Sequence, residues 1–307
     1  MTNQGDRHAS FRALSGTTGT YNDDSYAAFI AGGATVGNTY NGAMIEWLQS
    51  VTGSSDTEIN GLKQLFAEQQ GASSWSELGT FFIPPPVAGY IMWLDGQDGD
   101  NTIILNGSKV AEWQDKSGQG NNLSMSTELN QPTYTASGIN GKPSLVFNGD
   151  NTVLKLSGFA TGTLSQPILL FIVVHFTSLT PFDKFTDGYG GTNRLLSGYS
   201  YGGGRLIITM ADNLITGTNV VTTNTPYVIG EVFNTSSSKI IVNGSTVASG
   251  DIGAGTVIGL TLGAIYYTAT GIDGMIGEVV MYNSMLSDSE IQSVEEYLGN
   301  KWGITLA

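Results

Sequence analysis

From residue 90 onward, short apolar runs alternate with polar segments that are rich in glycine, asparagine and threonine. Apolar runs of this length, bounded by turn residues, are typical of β-strands. The predicted strands cover residues 90–94, 102–105, 109–113, 144–147, 152–156, 166–176, 206–210, 227–233, 239–242, 245–248, 257–262 and 273–282. Their number and spacing predict a sandwich of two antiparallel sheets.

Asn-Gly pairs separate several of these strands. Asn243-Gly244 lies between two strands of similar length, and Asn106-Gly107 lies between two others. Both residue types accept a positive φ, which the two-residue turn of a tight hairpin requires. We therefore predict a tight hairpin at Asn243-Gly244 and a looser connection at Asn106-Gly107.

A helix signal follows the last predicted strand. Ser287 and Glu290 are spaced as in a capping box, in which each side chain binds the other residue's backbone N–H. The apolar residues that come next fall on one helical face: Ile291, Val294, Leu298 and Trp302. We expect this face to lie over the β domain and to cover an edge or an open end of the sandwich.

Residues 1–82 follow a different pattern. Polar residues that can cap helices, such as Asn41 and Asp56, precede apolar residues at three- and four-residue spacing. This pattern predicts three short helices. The proline-rich segment 83–89 predicts an extended, semi-rigid linker. The chain is therefore expected to consist of a small helical module at 1–82, a linker at 83–89 and a β domain at 90–307.

The β domain carries several short motifs in a characteristic order. They are Leu94-Asp95, Trp113-x-Asp115-x-Ser117-Gly118-x-Gly120-Asn121, Gly141-Lys142-Pro143-Ser144-Leu145-Val146-Phe147-Asn148-Gly149, Val242-Asn243-Gly244 and Asp273-Gly274-x-Ile276-Gly277-Glu278-Val279. Together with the closing helix, this order resembles the laminin-G/concanavalin A-like family. The resemblance implies a mainly β fold, a two-sheet antiparallel sandwich (jelly roll) with a C-terminal helix, preceded here by a small α-helical domain. Members of that family bind glycans, proteins or calcium, and some are domains of larger enzymes.

The N-terminal module carries two further motifs. They are Leu14-Ser15-Gly16-Thr17-Thr18-Gly19-Thr20-Tyr21-Asn22 and Gly61-Leu62-Lys63-x-Leu65-Phe66-Ala67-x-x-Gln70-Gly71-Ala72-x-x-Trp75-x-x-Leu78-Gly79. They resemble a module of tailed-bacteriophage structural proteins. The resemblance implies a homo-oligomeric virion protein, a capsid decoration, fibre or tail-associated adhesion protein, that contacts other virion proteins through residues 1–82 and displays a glycan-binding jelly roll. The alternative is a polysaccharide-active glycoside hydrolase or a bacterial surface carbohydrate-binding protein.

Composition and charge exclude several classes of binding partner. The net charge is −14 with 12 basic residues, and no lysine or arginine cluster occurs, so nucleic-acid binding is not expected. No apolar run reaches the length of a membrane-spanning helix, and residues 1–14 lack the apolar core of a secretory signal. The chain has no cysteine, which rules out disulfides and thiolate metal sites. These features fit a virion protein assembled in a host cytoplasm, and they fit any cytosolic β protein equally well.

The sequence contains few residues in the arrangements that catalysis by a glycoside hydrolase requires. Lectin-fold glycosidases of the laminarinase type carry Glu-x-Asp-x-x-Glu on one strand, and that pattern is missing from this sequence. Glu112 and Asp115 are three positions apart and Asp273 and Glu278 five, so neither pair shares a strand face. We therefore predict that the protein is not an enzyme, although a carboxylate pair drawn from separate strands stays open.

Segment 177–205 is the predicted ligand-binding region. It is long, polar and glycine-rich, and it is expected to form a loop between two core strands. Aromatic rings can stack on sugar faces, and planar polar groups can bind pairs of hydroxyls. The candidate ligand-binding residues are Asp183, Asp187, Tyr189, Asn193, Arg194, Tyr199, Tyr201 and Arg205. The alternative is that this loop forms an interface with a neighbouring subunit.

A second candidate site lies in the turn 95–101. Asp95, Asp98 and Asp100 supply hard oxygen ligands of the kind that Ca²⁺ prefers. The turn lacks the flanking helices and the distal glutamate of an EF-hand. Calcium is thus a candidate cofactor here, and a solvated turn stabilised by its own aspartates is the alternative.

Overall fold

The computed structural model describes residues 85–181, 183–189, 195–199, 205–210, 213–266 and 270–307, apart from the side chains of Asp100, Tyr199 and residues 213–215. This part of the chain is mainly β-structure. Its strands are β1 (Tyr90–Asp95), β2 (Ile103–Asn106), β3 (Lys109–Trp113), β4 (Leu123–Ser124), β5 (Thr133–Thr135), β6 (Ser144–Asn148), β7 (Leu154–Leu156), β8 (Leu164–Ser165), β9 (Ile168–Phe176), β10 (Lys184–Gly188), β11 (Leu196–Tyr199), β12 (Leu206–Met210), β13 (Asn213–Gly217), β14 (Pro226–Phe233), β15 (Ser238–Val242), β16 (Ser245–Gly250), β17 (Thr256–Val257), β18 (Leu260–Leu262) and β19 (Asp273–Tyr282). The α-helices are α1 (Gly99–Thr102) and α2 (Asp288–Trp302), and single 3₁₀ turns cover Gly96–Asp98, Glu128–Asn130, Ile139–Gly141 and Thr235–Ser237.

The strands form two series. The first is built around β9, which pairs with β14 on one side and with β19 on the other. Beyond β14 come β15 and β16. β19 is long enough to hold two partners on its other edge, β6 along its first half and β1 along its second.

The second series runs β13, β12, β11, β10, β18, β7, β4, β3, β2. β5 pairs with β6 of the first series and with β3 of the second. Through this link, 17 of the described strands belong to one continuous hydrogen-bonded sheet, while β8 and β17 form a separate pair. All strand pairings among the described residues are antiparallel.

A single apolar core joins residues of both series. Its largest fully buried side chains are aromatic: Trp113, Phe147, Phe176, Phe185 and Phe233. β9 is apolar on both faces because it lies in the middle of its series, with the core on one face and α2 near the other. Burying both faces explains why its sequence is continuous in apolar residues and does not alternate.

α2 lies over the β domain as the sequence predicts, but the predicted place at an edge or open end is wrong, because it packs on β9 and β14, each of which has a strand on both sides. The Ser287 side chain accepts from the Glu290 N–H, and the Glu290 carboxylate accepts from the Ser287 N–H, which completes the capping box. Gly303 ends the helix in the left-handed region with φ +66. The Trp302 indole lies against Gly277 of β19, where an added Cβ would come within 2.6 Å of the ring. The predicted apolar face is buried, and it covers β9 and β14.

Most predicted strands and the Asn243-Gly244 hairpin are confirmed. Asn243 and Gly244 both have positive φ, +46 and +84, and β15 pairs directly with β16. The predicted single loop at 177–205 is wrong, because β10 and β11 lie within it. At the linker, the Tyr282 hydroxyl donates to the Val87 carbonyl at 2.8 Å, so this end of the segment lies on the β domain. The predicted helical module at 1–82 falls outside the described residues.

Candidate functional site

A line of polar residues crosses five adjacent strands of the second series. Strand register places Glu112 opposite Ser124, Ser124 opposite Lys155, Lys155 opposite Thr261, and Thr261 opposite Asp187. Residues directly opposite one another in antiparallel strands point to the same face of the sheet. We call these five residues the polar row. At about 4.8 Å per strand, the row spans roughly 19 Å from Glu112 to Asp187.

The polar row lies on the outer face of the sheet. Neighbours of Lys155 along β7, Leu154 and Leu156, belong to the buried core, and so do Leu260 and Leu262 on either side of Thr261. Successive side chains of a strand alternate between faces, so Lys155 and Thr261 point away from that core. Glu112, Ser124 and Lys155 are at least partly exposed, whereas Thr261 and Asp187 are 0% exposed, so the row is open to solvent from Glu112 to Lys155 and is supported by an apolar layer.

Two tyrosines border the Asp187 end of the row. Tyr189 and Tyr266 are both half-buried, and their ring centroids are 4.7 Å apart in an edge-to-face arrangement. The Tyr266 N–H donates to Asp187 Oδ2 at 2.8 Å, and the Tyr189 N–H donates to the Gly259 carbonyl at 3.0 Å. These backbone contacts fix the two rings beside the row.

Lys155 occupies the centre of the row. Its Nζ donates to the Tyr266 carbonyl at 2.9 Å and lies 5.3 Å from the centre of the Tyr266 ring. Burial lowers the pKa of Lys155. At the opposite end, the Glu112 carboxylate accepts from the side-chain amides of Gln114 and Asn122 at 3.1 and 2.9 Å. The row thus combines acceptors, hydroxyls, one ammonium group and two aromatic rings.

The structure places the predicted ligand-binding residues unevenly. Asp183 is 5% exposed and Asp187 is 0% exposed, whereas Tyr189 and Arg205 are half-buried. Asn193, Arg194, Tyr201 and the side chain of Tyr199 fall outside the described residues. Of the eight, Asp187 and Tyr189 are brought together at the row. Ligand binding by this set stays a prediction.

Sequence reasoning missed Lys155 and Tyr266. Lys155 had a local signal, since a single charged residue between two core leucines in a short strand marks an outward-facing position. Tyr266 had none, because its place beside Asp187 depends on a contact between segments far apart in the sequence.

The aspartates of the predicted calcium turn are held by lysines. Asp98 Oδ2 lies 2.7 Å from Lys116 Nζ, and Asp95 Oδ2 lies 3.3 Å from Lys116 Nζ and 2.8 Å from Lys301 Nζ. The side chain of Asp100 falls outside the described residues. Within the described ranges, no group of three or more acidic or histidine side chains is arranged to hold a metal ion.

Lys301 connects Asp95 to a second buried carboxylate, Glu278. Glu278 lies 2.8 Å from Lys301 Nζ and accepts hydrogen bonds of 2.7 to 2.8 Å from Trp93 Nε1, Trp302 Nε1 and the Tyr297 hydroxyl. Burial raises the pKa of Glu278, and the Lys301 ammonium acts against this increase. The four donors that surround the carboxylate fit its ionised form. Burial alone lowers the pKa of Lys301, but the two carboxylates outweigh it and the net pKa is raised. This network ties α2 to β1 and β19, and its hydrogen-bonding capacity is used within the fold.

A different buried acid lies in the interior. Glu231 of β14 is 1% exposed, and its Oε2 accepts from the Ser197 hydroxyl at 2.5 Å. Ser197 Oγ in turn accepts from Thr186 Oγ1 at 2.6 Å. Burial raises the pKa of Glu231 to about 8, against the opposing effect of the Ser197 hydrogen bond. Glu231 is thus a neutral carboxylic acid at pH 7, enclosed between the two series.

Helices in the described part of the chain are all too short or too polar to cross a membrane. No protein-family model matches this chain. No curated protein matches it either.

Solved structures show the same fold at low sequence identity. One is domain 4 of a GH43 extracellular arabinanase from Geobacillus stearothermophilus in complex with arabinotriose, with a TM-score of 0.50 and 15% identity over 67% of this chain and 98% of that domain. A second is a Trypanosoma rangeli sialidase in complex with sialic acid, with a TM-score of 0.51 and 18% identity over 71% of this chain. A third is an arabinofuranosidase in complex with arabinofuranosyl-α-1,2-xylobiose, with a TM-score of 0.51, 17% identity and 70% of this chain covered. The matched region spans 34% of the sialidase and 60% of the arabinofuranosidase.

These comparisons correct two sequence-based predictions. A bacteriophage virion component, whether capsid decoration, fibre or tail-associated protein, was predicted, and so was the lack of enzymatic activity. Both are contradicted, because the matched folds belong to glycoside hydrolases or to a domain of one. What this chain shares with those proteins is the fold.

Proposed function

We propose that this chain is a carbohydrate-active protein whose β domain is a concanavalin A-like two-sheet sandwich, a jelly roll, and binds an oligosaccharide along the polar row. Support for the sandwich comes from the two series of strands, their common core and the link through β5. Support for the ligand class comes from the row itself and from the fold shared with the arabinotriose-binding domain.

The observation that carries the proposal is the pairing of the row with two tyrosine rings. Sugars present apolar C–H faces and pairs of hydroxyls, so their sites combine aromatic rings with a few fixed polar groups. Tyr189 and Tyr266 provide the rings, and Glu112, Ser124 and Lys155 provide acceptors and donors on the same face. The arrangement is elongated, which suits several linked sugar units.

The carboxylates of the row are too far apart for hydrolysis. Glycoside hydrolases place their two carboxyl groups about 5 to 10 Å apart, whereas Glu112 and Asp187 are separated by four strand spacings, roughly 19 Å. Asp187 is also fully buried and accepts from the Tyr266 N–H. We therefore assign the row to binding.

The first test is oligosaccharide binding by the Tyr266→Ala variant. We expect the full chain to bind at least one neutral or acidic trisaccharide in calorimetric titrations. Tyr266→Ala should weaken that binding about tenfold, because one stacked ring contributes on the order of 1.4 kcal/mol. Met285→Ala is the matched control, since it also removes a partly exposed apolar side chain, 44% exposed, just before α2. Equal affinities for the two variants, or no binding of any sugar by the unmodified chain, would refute the proposal.

Glycoside hydrolysis is the second candidate function, and Asp183 is the residue that favours it. Asp183 is 5% exposed, and burial raises its pKa despite the opposing effects of Thr180 and Lys184. The Asp273 carboxylate nearby raises it further. A buried acid with a raised pKa, close to a second carboxylate, provides the kind of acid that glycosidic bond cleavage uses.

Release of reducing ends from an arabinan and xylan panel tests this candidate. We expect Asp183→Asn to lower the rate about 100-fold or more, the usual contribution of a general acid. Asp150→Asn, at an exposed loop aspartate, is the control. If the unmodified chain releases no reducing ends, the hydrolytic function is discarded. If Asp183→Asn is as fast as the control, Asp183 is not the acid.

A further inference from the structure

In the described part of the chain, Lys155 lacks the acidic partner that Lys116, Lys239 and Lys301 have. Within the described part of the chain, its Nζ contacts the Tyr266 carbonyl and ring, and no carboxylate lies within 4.0 Å of it. In contrast, Lys116 and Lys301 form ion pairs of 2.7 to 2.8 Å with buried carboxylates, and Lys239 pairs with Asp288 at 2.7 Å.

Among the described residues, Lys109 and Lys142 also have no carboxylate partner, and Lys155 differs from them by its place at the centre of the polar row beside the Tyr266 ring. Lys155 is half-buried, and desolvation is the single cause that lowers its pKa, with no nearby carboxylate raising it. A partly desolvated ammonium group without a counter-charge is an unfavourable arrangement that an anionic ligand relieves.

Neither acid of the polar row is close enough to neutralise the Lys155 ammonium group. Glu112 and Asp187 each lie two strand spacings from Lys155, about 10 Å away, with Ser124 and Thr261 between. Glu112 is bound by the Gln114 and Asn122 amides, and Asp187 is bound by the Tyr266 N–H. Neither carboxylate is close enough to neutralise Lys155, and hydroxyl-bearing residues flank the ammonium group.

We propose that Lys155 binds a carboxylate of the ligand, so that the glycan contains an acidic sugar, a uronic or sialic acid residue. This inference rests on the proposed oligosaccharide site and specifies its ligand class. The ammonium group forms a charge-assisted hydrogen bond with the sugar carboxylate. The Ser124 hydroxyl forms hydrogen bonds with the hydroxyls of the sugar. The Tyr266 ring, which lies beside Lys155, stacks on the apolar face of the sugar. Lys155 then determines specificity for acidic over neutral glycans.

The test compares each sugar acid with its own neutral ester. The ligands are trigalacturonic acid and its methyl ester, and N-acetylneuraminic acid and its methyl ester, titrated into the full chain. We expect at least one acid to bind ten times more tightly than its ester, with an affinity that falls as salt is added. Lys155→Met should abolish the preference for the acid, and Lys155→Arg should retain most of it. Lys239→Met, which removes a lysine paired with Asp288, should leave the preference unchanged.

The outcomes separate the two proposals. If acid and ester bind equally and Lys155→Met has no effect, the acidic-glycan inference is wrong while the oligosaccharide site stands. If neutral trisaccharides bind but neither acid does, the acidic-glycan inference is again wrong and the oligosaccharide site stands. If no sugar of either kind binds the unmodified chain, the site itself fails and the inference fails with it.

Discussion

Lys301→Met is expected to lower the free energy of unfolding by about 3 to 5 kcal/mol, the range found when one member of a buried ion pair is removed. Asp95 and Glu278 are both 0% exposed, and each loses an ammonium partner at 2.8 Å in this variant. Asp95 retains Lys116 at 3.3 Å, but Glu278 is left with neutral donors alone. Equilibrium unfolding in urea measures the change.

Lys239→Met is the matched control for that experiment. The Lys239–Asp288 pair is equally short at 2.7 Å, but the Asp288 side chain is 89% exposed. Water screens such a pair, so we expect a much smaller change than in Lys301→Met. Equal losses for the two variants would show that burial does not set the strength of these pairs. A Lys301→Met chain that fails to fold, beside a folded Lys239→Met chain, agrees with the expectation.

Stability is expected to fall as the pH rises from about 5 to 8, with Glu231 as the main cause and Glu295, whose pKa burial raises to about 7, acting in the same direction. The folded-state pKa of Glu231 is about 8, against 4.5 for an ordinary glutamate. Below pH 4.5 the Glu231 carboxyl is protonated in both the folded and the unfolded chain. Between pH 4.5 and 8 it is protonated in the folded chain alone, and above pH 8 it is ionised in both. Because deprotonation favours the unfolded chain, the stabilisation is complete at low pH and is lost as the pH rises. At about 1.4 kcal/mol per unit, the total approaches roughly 5 kcal/mol.

Glu231→Gln isolates this contribution. The amide cannot ionise and keeps an oxygen that accepts from Ser197, so stability should vary less with pH between 5 and 8. At pH 8 the variant should be more stable than the unmodified chain. Glu128→Gln, in an exposed turn, is the control and should leave the pH dependence as it is. Parallel slopes for Glu231→Gln and the unmodified chain would show that another group causes the decline.

Local signals in the sequence predicted the elements well. The Ser287–Glu290 capping box and the Asn243-Gly244 turn are confirmed because each depends on residues a few positions apart. β9 and β19 are also confirmed, because their long runs of mostly apolar residues predict central strands. Segment 177–205 was misread because glycine and polar residues dominate it, although two strands within it, β10 and β11, pair with β18 and β12.

The candidate site was less accessible to prediction. The polar row exists because β7 lies between β4 and β18, and β18 lies beside β10. Nothing local to Lys155 or Asp187 encodes those neighbours. The calcium hypothesis stays a prediction, and the sequence did not reveal that Asp98 binds Lys116 and Asp95 binds Lys301 across the fold. Carboxylates in a turn have the same local pattern whether a metal or a distant lysine neutralises them.

The position of β9 affects how the protein is made. Both strands that flank it, β14 and β19, are encoded later in the chain. During translation, the most apolar segment of the domain therefore leaves the ribosome before either of its neighbours has been synthesised. Unpaired strands of this kind readily join copies of themselves. Slow elongation or crowded polysomes should thus favour aggregation of nascent chains, and a chaperone that binds extended apolar peptides should raise the yield.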